Sequence, residues 1–328
     1  MATYKESIGT AVTNVAGDPP APLQGQVWYN SSTAVFRIST VGPVGSWATK
    51  NSMGTARYDT AGSGSATAGL CFGGRDPGPA KTAATELYNG TNWTAVNSLN
   101  LARYRLNGCG TSTASLCIGG LVLPGSAPYS PGATENWNGS NWTTVNSLNT
   151  GRYSGGAAGT TTSSLFFGGE PSNTACESWN GSNWTNVNSL NNGRRVLGSS
   201  GTSNTAALAF NGIDAEKKTE IWNGTNWTEV NDTNSERKGP GGSGTTTAAL
   251  SCGGRHNSPY LAITESWNGT NWTETGDMGT ARYTMGSSTV TGNTSALVFG
   301  GTGPGGITGA PEQFSSAVAP ITATITTS

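Results

Sequence analysis

Residues 177–185 read Glu-Ser-Trp-Asn-Gly-Ser-Asn-Trp-Thr, and four other segments of the chain carry the same pattern with small changes. Each segment joins a Glu-x-aromatic stretch to Asn-Trp-Thr through an Asn-Gly step. Asn-Gly between two aromatic-bearing stretches is the strongest short-range signal for a β-hairpin. The pattern therefore predicts the same pair of antiparallel strands five times, with tryptophans at Trp93, Trp142, Trp184, Trp227 and Trp272.

These tryptophans are 49, 42, 43 and 45 residues apart, so a structural unit of about 45 residues repeats along the chain. Upstream of each hairpin lies an apolar stretch, such as residues 164–167, that usually ends in Gly-Gly and suits a buried strand. Each unit opens with an arginine, followed by Gly, Ser and Thr residues that suit the crowded centre of a ring. The unit arginines and glutamates are Arg57, Arg103, Arg152, Arg194, Arg237 and Arg282, and Glu86, Glu135, Glu177, Glu220, Glu265 and Glu312.

One unit thus predicts four short strands, a sheet too small to bury both of its faces alone. Packing six such sheets in a ring buries the faces and leaves only short edges. The order arginine, apolar-Gly-Gly, Glu-x-aromatic, tryptophan resembles the kelch motif over about residues 52–315. The resemblance implies an all-β, kelch-type β-propeller of six four-stranded blades, with seven blades as the alternative. One departure is the fourth unit, where Phe210-Asn211-Gly212 replaces the usual Gly-Gly.

The sixth unit ends near Phe314 without a following tryptophan, so its fourth strand must come from elsewhere. Kelch rings close by completing one blade with strands from both chain ends. Trp47, ten residues before Arg57, is placed to supply this strand, and the alternative donor is the Thr/Ile alternation of residues 321–327. The predicted organisation is an arm at 1–48 for docking and ring closure, a kelch propeller at 49–316, and a tail at 317–328 as the alternative closing strand.

The N-terminal region predicts a further hairpin. Residues 25–30 read Gly-Gln-Val-Trp-Tyr-Asn and residues 34–38 read Ala-Val-Phe-Arg-Ile, with Asn30, Ser31 and Ser32 in the turn. The first stretch is similar to short segments of tailed-bacteriophage structural proteins, especially from phages that infect cyanobacteria, where they precede kelch-like or fibre regions. A polar chain with only 11% charged residues agrees with this resemblance. It implies a virion protein that is assembled in the host cytoplasm.

Composition excludes several classes of protein. With 17 basic and 18 acidic residues the chain lacks the basic footprint of a nucleic-acid-binding protein. It contains no apolar run of about 20 residues for a membrane span, and its first residues do not read as a signal peptide. Three of the five cysteines stand inside repeated apolar stretches, and we interpret the five as free thiols.

The sequence lacks the residues that several kinds of catalytic site require. His256 is the one histidine of the chain, which excludes a His-based triad, a multi-His metal site and a copper radical oxidase with two His ligands. We therefore expect no enzymatic activity, no catalytic residue, no metal and no cofactor. Because one Arg and one Glu recur in every unit, we interpret them, like the repeated tryptophans, as structural.

Function is expected on the face of the ring that carries the variable loops. From the second glycine to the unit glutamate the offsets are 12, 15, 8, 8, 11 and 11 residues, whereas the linker between units is nearly constant. The long loops 75–85, 121–134 and 255–264 share a face with the linkers, and their residue types suit a contact surface. Tolerated insertions are the alternative interpretation. The candidate binding residues are Arg75, Asp76, Leu121, Leu123, Tyr129, Arg255, His256 and Tyr260.

Together these features predict a non-enzymatic structural protein of a tailed-phage virion, located in a tail fibre, baseplate or capsid surface. A propeller face would bind a host surface glycan or receptor, or another virion protein, and the chain could form a homo-oligomer within the particle. Neither nucleic acid nor a membrane is an expected partner. One alternative is a cellular or secreted kelch scaffold for protein binding. The other is a carbohydrate-active propeller enzyme, which requires a convergent acidic or histidine cluster.

Overall fold

The computed structural model of the chain describes residues 13–16, 27–40, 45–78, 80–122, 131–290, 292–316 and 321–325. Within these ranges the regular elements are β-strands, and no helix has the length and apolar character needed to cross a bilayer. By chain contacts the molecule divides into two compact units, residues 45–315 and residues 1–44 with 316–328. The first four strands are β1 (Thr13–Val15), β2 (Val27–Asn30), β3 (Val35–Thr40) and β4 (Gly45–Thr49).

Five blades are each formed by four consecutive strands joined as an antiparallel meander. Blade 1 contains β5 (Ala61–Gly64), β6 (Gly69–Phe72), β7 (Thr85–Tyr88) and β8 (Trp93–Val96). Blade 2 contains β9 (Asn107–Gly110), β10 (Ser115–Ile118), β11 (Thr134–Trp137) and β12 (Trp142–Val145). Blade 3 contains β13 (Gly156–Gly159), β14 (Ser164–Phe167), β15 (Cys176–Trp179) and β16 (Trp184–Val187).

The remaining blades follow in chain order. Blade 4 contains β17 (Gly198–Ser203), β18 (Ala206–Phe210), β19 (Thr219–Trp222) and β20 (Trp227–Val230). Blade 5 contains β21 (Gly241–Gly244), β22 (Ala249–Cys252), β23 (Thr264–Trp267) and β24 (Trp272–Thr275). Blade 6 combines β25 (Gly286–Ser287), β26 (Ser295–Phe299) and β29 (Glu312–Ser316) with β4, and between them lie the short strands β27 (Thr302–Gly303) and β28 (Gly306–Ile307). The last strand is β30 (Ile321–Ile325).

The first strands of successive blades contact one another around a central axis, and β25 of blade 6 contacts β5 of blade 1. The predicted six-bladed β-propeller is therefore confirmed. Burial falls from the axis outward: in blade 3 every residue of β13 and β14 is buried, whereas β16 buries only its tryptophan fully. Small residues fill the narrow centre, and aromatic residues fill the wider gaps between blades.

Tryptophans of the outer strands join neighbouring blades. Trp142 of blade 2 packs edge-on against Phe72 of blade 1, with ring centroids 4.9 Å apart. Its indole N–H donates to Thr85 Oγ1 of the same neighbouring blade at 3.1 Å. One residue thus supplies both apolar area and a satisfied polar group at the junction.

Blade 6 takes its outer strand, β4, from the N-terminal side of the chain. Trp47 on β4 donates its indole N–H to Thr264 Oγ1 of blade 5 at 3.1 Å, and its ring lies 5.2 Å from Phe314. It therefore occupies the position that Trp142 holds in blade 2. The alternative closing strand is wrong, because β4 already fills that sheet edge and β30 pairs with β3 instead. The compact propeller unit begins at residue 45 rather than at the predicted residue 49.

The other unit contains one sheet in the order β1-β2-β3-β30. Strands β2 and β3 form the antiparallel hairpin expected from residues 25–38. The turn is held by Asn30, whose Oδ1 accepts the backbone N–H groups of Ser32 and Thr33 at 3.1 and 3.2 Å. Asparagine favours such turns because its short side chain bonds the backbone two residues on.

Each blade contains a buried ion pair between its unit arginine and its unit glutamate. In blade 3 the Arg152 guanidinium lies 3.0 Å from Glu177 and also donates to the carbonyl of Gly168 at 2.8 Å. The second carboxylate oxygen of Glu177 accepts the N–H of Asn149, in the linker from blade 2, at 2.6 Å. The pair therefore fastens the incoming linker to the blade. Burial lowers the pKa of the Arg152 side chain, and Glu177 opposes that shift.

In the fourth unit Asn211 takes the place of the first glycine of the Gly-Gly pair and adopts the same backbone conformation. Its φ of +55° matches the +63° of Gly73, the first glycine of the equivalent Gly-Gly in blade 1. Asparagine tolerates this left-handed region better than most residues with a side chain. Its amide nitrogen donates to Thr233 Oγ1 at 2.7 Å, and its Oδ1 accepts from Ser251 at 2.9 Å. The side chain thus bonds blade 4 to blade 5, a contact that glycine cannot make.

The five cysteines are free and buried in the blades, as the sequence predicts. Burial raises the pKa of Cys109 to about 11 and that of Cys117 to about 12. A thiol with so high a pKa carries little thiolate at neutral pH, so these side chains act as small apolar groups.

Candidate ligand-binding site

The loops between second and third strands and the linkers between blades lie on the same face of the propeller, which we call the linker face. Two residues after each unit arginine, the backbone passes through the left-handed region with φ between +51° and +61°. Non-glycine residues rarely adopt this conformation, and clusters of such residues occur at functional sites. The six residues, one per blade, are Asp59, Arg105, Ser154, Val196, Gly239 and Thr284.

These six residues form a closed ring of backbone hydrogen bonds around the axis, which we call the axial ring. The N–H of Arg105 donates to the carbonyl of Asp59 at 2.9 Å, and the same bond joins each pair of neighbouring blades. The N–H of Asp59 closes the ring on the carbonyl of Thr284 at 3.0 Å. Because the ring satisfies both backbone groups of every member, its geometry does not depend on the side chains.

The side chains of the axial ring line a shallow depression of about 480 Å³, a volume that includes its open mouth. Arg105 is exposed over 43% of its side chain and lies 3.4 Å from the buried Asp59 carboxylate. Burial raises the pKa of Asp59, and the positive charge of Arg105 opposes that rise. On the opposite side the Tyr283 ring covers Gly239, where any added side chain would overlap it. The depression therefore combines a cation, a buried acid and an aromatic face.

Asn107 adds an acceptor to the wall of the depression. Its amide nitrogen donates to the carbonyl of Gly155 at 2.7 Å, which fixes the orientation of the side chain. Its Oδ1 is buried and has no hydrogen-bond partner among the described residues. Buried polar atoms are nearly always paired in proteins, which makes Asn107 Oδ1 a candidate acceptor for a donor group of a ligand.

At the end of the propeller axis away from the linker face, blade 6 differs from the other blades. In blades 1 to 5 the innermost strand has a glycine with φ between +92° and +136° at or near its C-terminal end, for example Gly64. Thr289 takes the corresponding place in blade 6, and its N–H donates to Gly64 at 2.9 Å. Its hydroxyl donates to the carbonyl of Gly110 in blade 2 at 3.0 Å. Thr289 therefore joins blades 6, 1 and 2 at this end of the axis.

A second ring surrounds the first. In every blade the residue after the unit arginine forms an isolated β-bridge with the residue after the Gly-Gly position. Three predicted candidates belong to this ring: Arg75, Leu121 and Arg255. The pairs are Tyr58–Arg75, Tyr104–Leu121, Tyr153–Glu170, Arg195–Ile213, Lys238–Arg255 and Tyr283–Thr302.

The predicted candidates do not form one cluster. The Arg75 guanidinium stacks on Tyr104 of blade 2, 3.7 Å from the ring centroid, whereas Arg255 lies 5.4 Å from the Tyr260 ring in blade 5. Blades 1 and 5 are not neighbours, so these two contacts are separate. Asp76 and His256 follow Arg75 and Arg255 in the outer loops, and Leu123 and Tyr129 lie outside the described residues.

Sequence reasoning missed the axial ring. The signal was available: the residue two places after each unit arginine is different in all six units, although the arginine itself never changes. The Gly, Ser and Thr residues after the arginine predict only the small residues that fill the centre of the ring. This prediction is correct for the innermost strands of the blades but leaves out the left-handed turn before each strand, which holds the axial ring residue.

Comparison with known proteins establishes the fold and no more. No protein-family model and no curated protein sequence matches the chain. Among solved structures it is similar to that of YjhT, with a TM-score of 0.64 over 80% of this chain and 96% of YjhT. The two sequences are 12% identical, so the likeness concerns the propeller architecture alone. Membership of the kelch family and the resemblance to phage proteins stay predictions.

Proposed function

We propose that this protein is a non-enzymatic structural component of a tailed-phage virion, and that the depression at its axial ring binds a host surface glycan. One observation carries the proposal: six positions with one backbone conformation hold six different residues. A repeat that keeps its scaffold constant and varies one ring of side chains concentrates its specificity there.

The chemistry of the depression supports a saccharide ligand. Sugars present many hydroxyl donors and acceptors together with apolar C–H faces. Arg105 offers guanidinium donors, Asn107 Oδ1 offers an unpaired acceptor, and Tyr283 offers an aromatic face. A few placed polar groups beside aromatic surface is the usual composition of a small-molecule site.

The residues around the axis support binding without catalysis. Asp59 is the one carboxylate of the axial ring, and it is buried against Arg105. Glycoside hydrolysis in most families needs two carboxyl groups on either side of the scissile bond. The one histidine of the chain lies in an outer loop of blade 5 rather than at the axis.

Two features support a place in a virion. The segment Gly-Gln-Val-Trp-Tyr-Asn at residues 25–30 resembles segments of phage structural proteins. Its strand β2 belongs to a compact unit distinct from the propeller, as an attachment region would. In this proposal the terminal unit holds the chain on the particle and the propeller meets the host.

Glycan binding is tested with an array of bacterial surface saccharides, followed by titration of the best binder. We expect Arg105→Gly to weaken binding at least tenfold, because glycine keeps the left-handed backbone and removes only the side chain. Val196→Gly is the matched control, since it makes the same change at an equivalent position without removing a polar group. Equal loss in both variants, or no saccharide bound by the wild-type chain, would contradict the glycan proposal.

The virion proposal has its own test, immunogold electron microscopy of purified particles with antibody raised to this chain. Gold at tail tips supports host recognition, and gold over the head supports a capsid-surface component. Protein detected in cells but absent from particles would refute the virion proposal and favour a cellular scaffold.

A further inference from the structure

A second group of polar side chains lies on the linker face away from the axis, at the junction of blades 4 and 5. Glu216 comes from the loop between β18 and β19, Glu236 from the linker between β20 and β21, and His256 from the loop between β22 and β23. His256 Nδ1 lies 3.3 Å from a Glu216 oxygen and 3.7 Å from a Glu236 oxygen. The three ligand atoms all lie within 4.8 Å of one another.

The backbone around this group is well held. The carbonyl of Glu216 accepts the N–H of Arg237 at 3.1 Å, and Arg237 is itself fully buried. Arg255, next to His256, exchanges two hydrogen bonds with Lys238, at 2.9 and 3.0 Å. Three separate segments are therefore fixed next to one another before any ligand arrives, which lowers the entropic cost of binding.

The charges of the group are unbalanced. Among the described residues, neither Glu216 nor Glu236 has a lysine or arginine nitrogen within 4.0 Å, and their shared ionic contact is His256. Glutamates elsewhere on this face do have such partners: Glu170 lies 2.8 Å from Arg195. Two carboxylates directed at one point without a cation repel each other, and a bound cation relieves that repulsion.

The histidine provides a second, independent observation. Its Nδ1 atom is sealed from solvent and makes no hydrogen bond among the described residues. Its other ring nitrogen, Nε2, lies 2.8 Å from the side-chain amide nitrogen of Asn257. An amide nitrogen only donates, so Nε2 accepts this bond and the proton of the neutral ring is on Nδ1, next to the carboxylates. A metal ion bound at Nδ1 takes the place of that proton, and a turn of the Asn257 amide then lets its oxygen accept from Nε2–H. Metal-binding histidines are commonly oriented in this way by an outer partner.

We propose that Glu216, Glu236 and His256 bind a divalent transition-metal ion of the Zn²⁺ type. Imidazole and carboxylate together suit such an ion, whereas Ca²⁺ and Mg²⁺ take oxygen ligands. Bonds of about 2.1 Å in tetrahedral geometry place donor atoms roughly 3.4 Å apart, close to the two separations from Nδ1. The ion joins a loop of blade 4 to a linker and a loop of blade 5. It is separate from the axial depression and does not depend on the glycan proposal.

The test is calorimetric titration of Zn²⁺ into chelator-treated full-length protein. We expect one saturable site per chain, at least tenfold weaker in His256→Gln and in Glu236→Gln. Glu274→Gln is the control, because Glu274 is an exposed carboxylate of blade 5 outside the group. Absorption spectroscopy at the zinc edge should show one imidazole ligand in the wild-type chain. The buried cysteines do not compete in the folded protein.

Thermal unfolding separates a lost ligand from a lost fold. Without metal, His256→Gln should unfold at the wild-type temperature, since the side chain is in a surface loop. With Zn²⁺ only the wild-type chain and the Glu274→Gln control should gain stability. Absence of saturable binding, or equal Zn²⁺ affinity in the wild-type and His256→Gln chains, would overturn the proposal.

Discussion

Two positions only two residues apart behave in opposite ways across the six blades. The unit arginine is the same residue six times and is fully buried six times. The residue two places later keeps one backbone conformation but is a different amino acid in every blade. The first position holds the blade together through its side chain. The second holds the ring together through its main chain, so its side chain is free to vary.

This difference explains where function can develop on a repeat protein. The arginine bonds carbonyl groups and a glutamate and, through that glutamate, holds the incoming linker, so no other single side chain makes all of these contacts. A member of the axial ring needs only its N–H and C=O groups. Changing the side chain of an axial ring residue therefore leaves the backbone hydrogen bonds between the blades in place.

The largest effect is expected at the invariant position. Arg152→Met leaves Glu177 buried without its partner, and breaking a buried pair in this way costs about 3–5 kcal/mol. Urea unfolding measures the loss. The double variant Arg152→Met/Glu177→Leu removes both charges and should recover part of the stability, because the Gly168 carbonyl and the Asn149 N–H still lose their partners. A single variant that unfolds like the wild type would show that the pair is dispensable.

Blade 4 allows a second test at a scaffold position, where Asn211 replaces the first glycine of the Gly-Gly pair. Asn211→Ala removes the bonds from Asn211 to blade 5 and places a non-glycine residue in the left-handed region, and we expect a loss on the order of 2–4 kcal/mol. Asn211→Gly restores the residue type of the other blades and should lose less. Equal losses would mean that the bonds, and not the backbone conformation, select asparagine here.

The smallest effect on the free energy of unfolding is expected at Asp59 of the axial ring, and it depends on pH. Because burial raises the pKa of Asp59, folding favours its protonated form, and its ionisation opposes folding. This unfavourable contribution is absent below the unfolded-state pKa, near 3.8, and develops as the pH rises through the higher folded-state pKa.

Asp59→Asn should therefore gain stability relative to the wild type as the pH rises from about 4 to about 7. Urea unfolding at several pH values provides the measurement. The opposite slope would show that attraction to Arg105 outweighs burial. A slope of zero would mean that Asp59 titrates alike in the folded and unfolded chains.

Most of the scaffold could be predicted because its signals are local and repeated. The hairpin around Asn-Gly and the apolar second strand are visible within one unit, and comparing units shows Trp47 as one of two candidates for the closing strand. The candidate site was harder to predict. Loop length directed attention to Arg75 and Arg255, which lie on the linker face but in blades that are not neighbours. The axial ring escaped because a left-handed turn at Val196 or Thr284 has no signal within one unit, and only a comparison of the six units shows that this position varies.

The sequence by itself determined a ring of four-stranded blades, the order of strands within a blade and the residues of the core, because a regular repeat shows the same burial and hydrogen-bonding pattern several times. The structure decided for six blades over seven. The tertiary structure alone decided which side chains meet. Glu216 and His256 are 40 residues apart in the sequence. Asp59 accepts a bond from Arg105 and donates one to Thr284, at the other end of the propeller sequence. Such contacts arise when the ring closes, since closure brings together residues that no local pattern links.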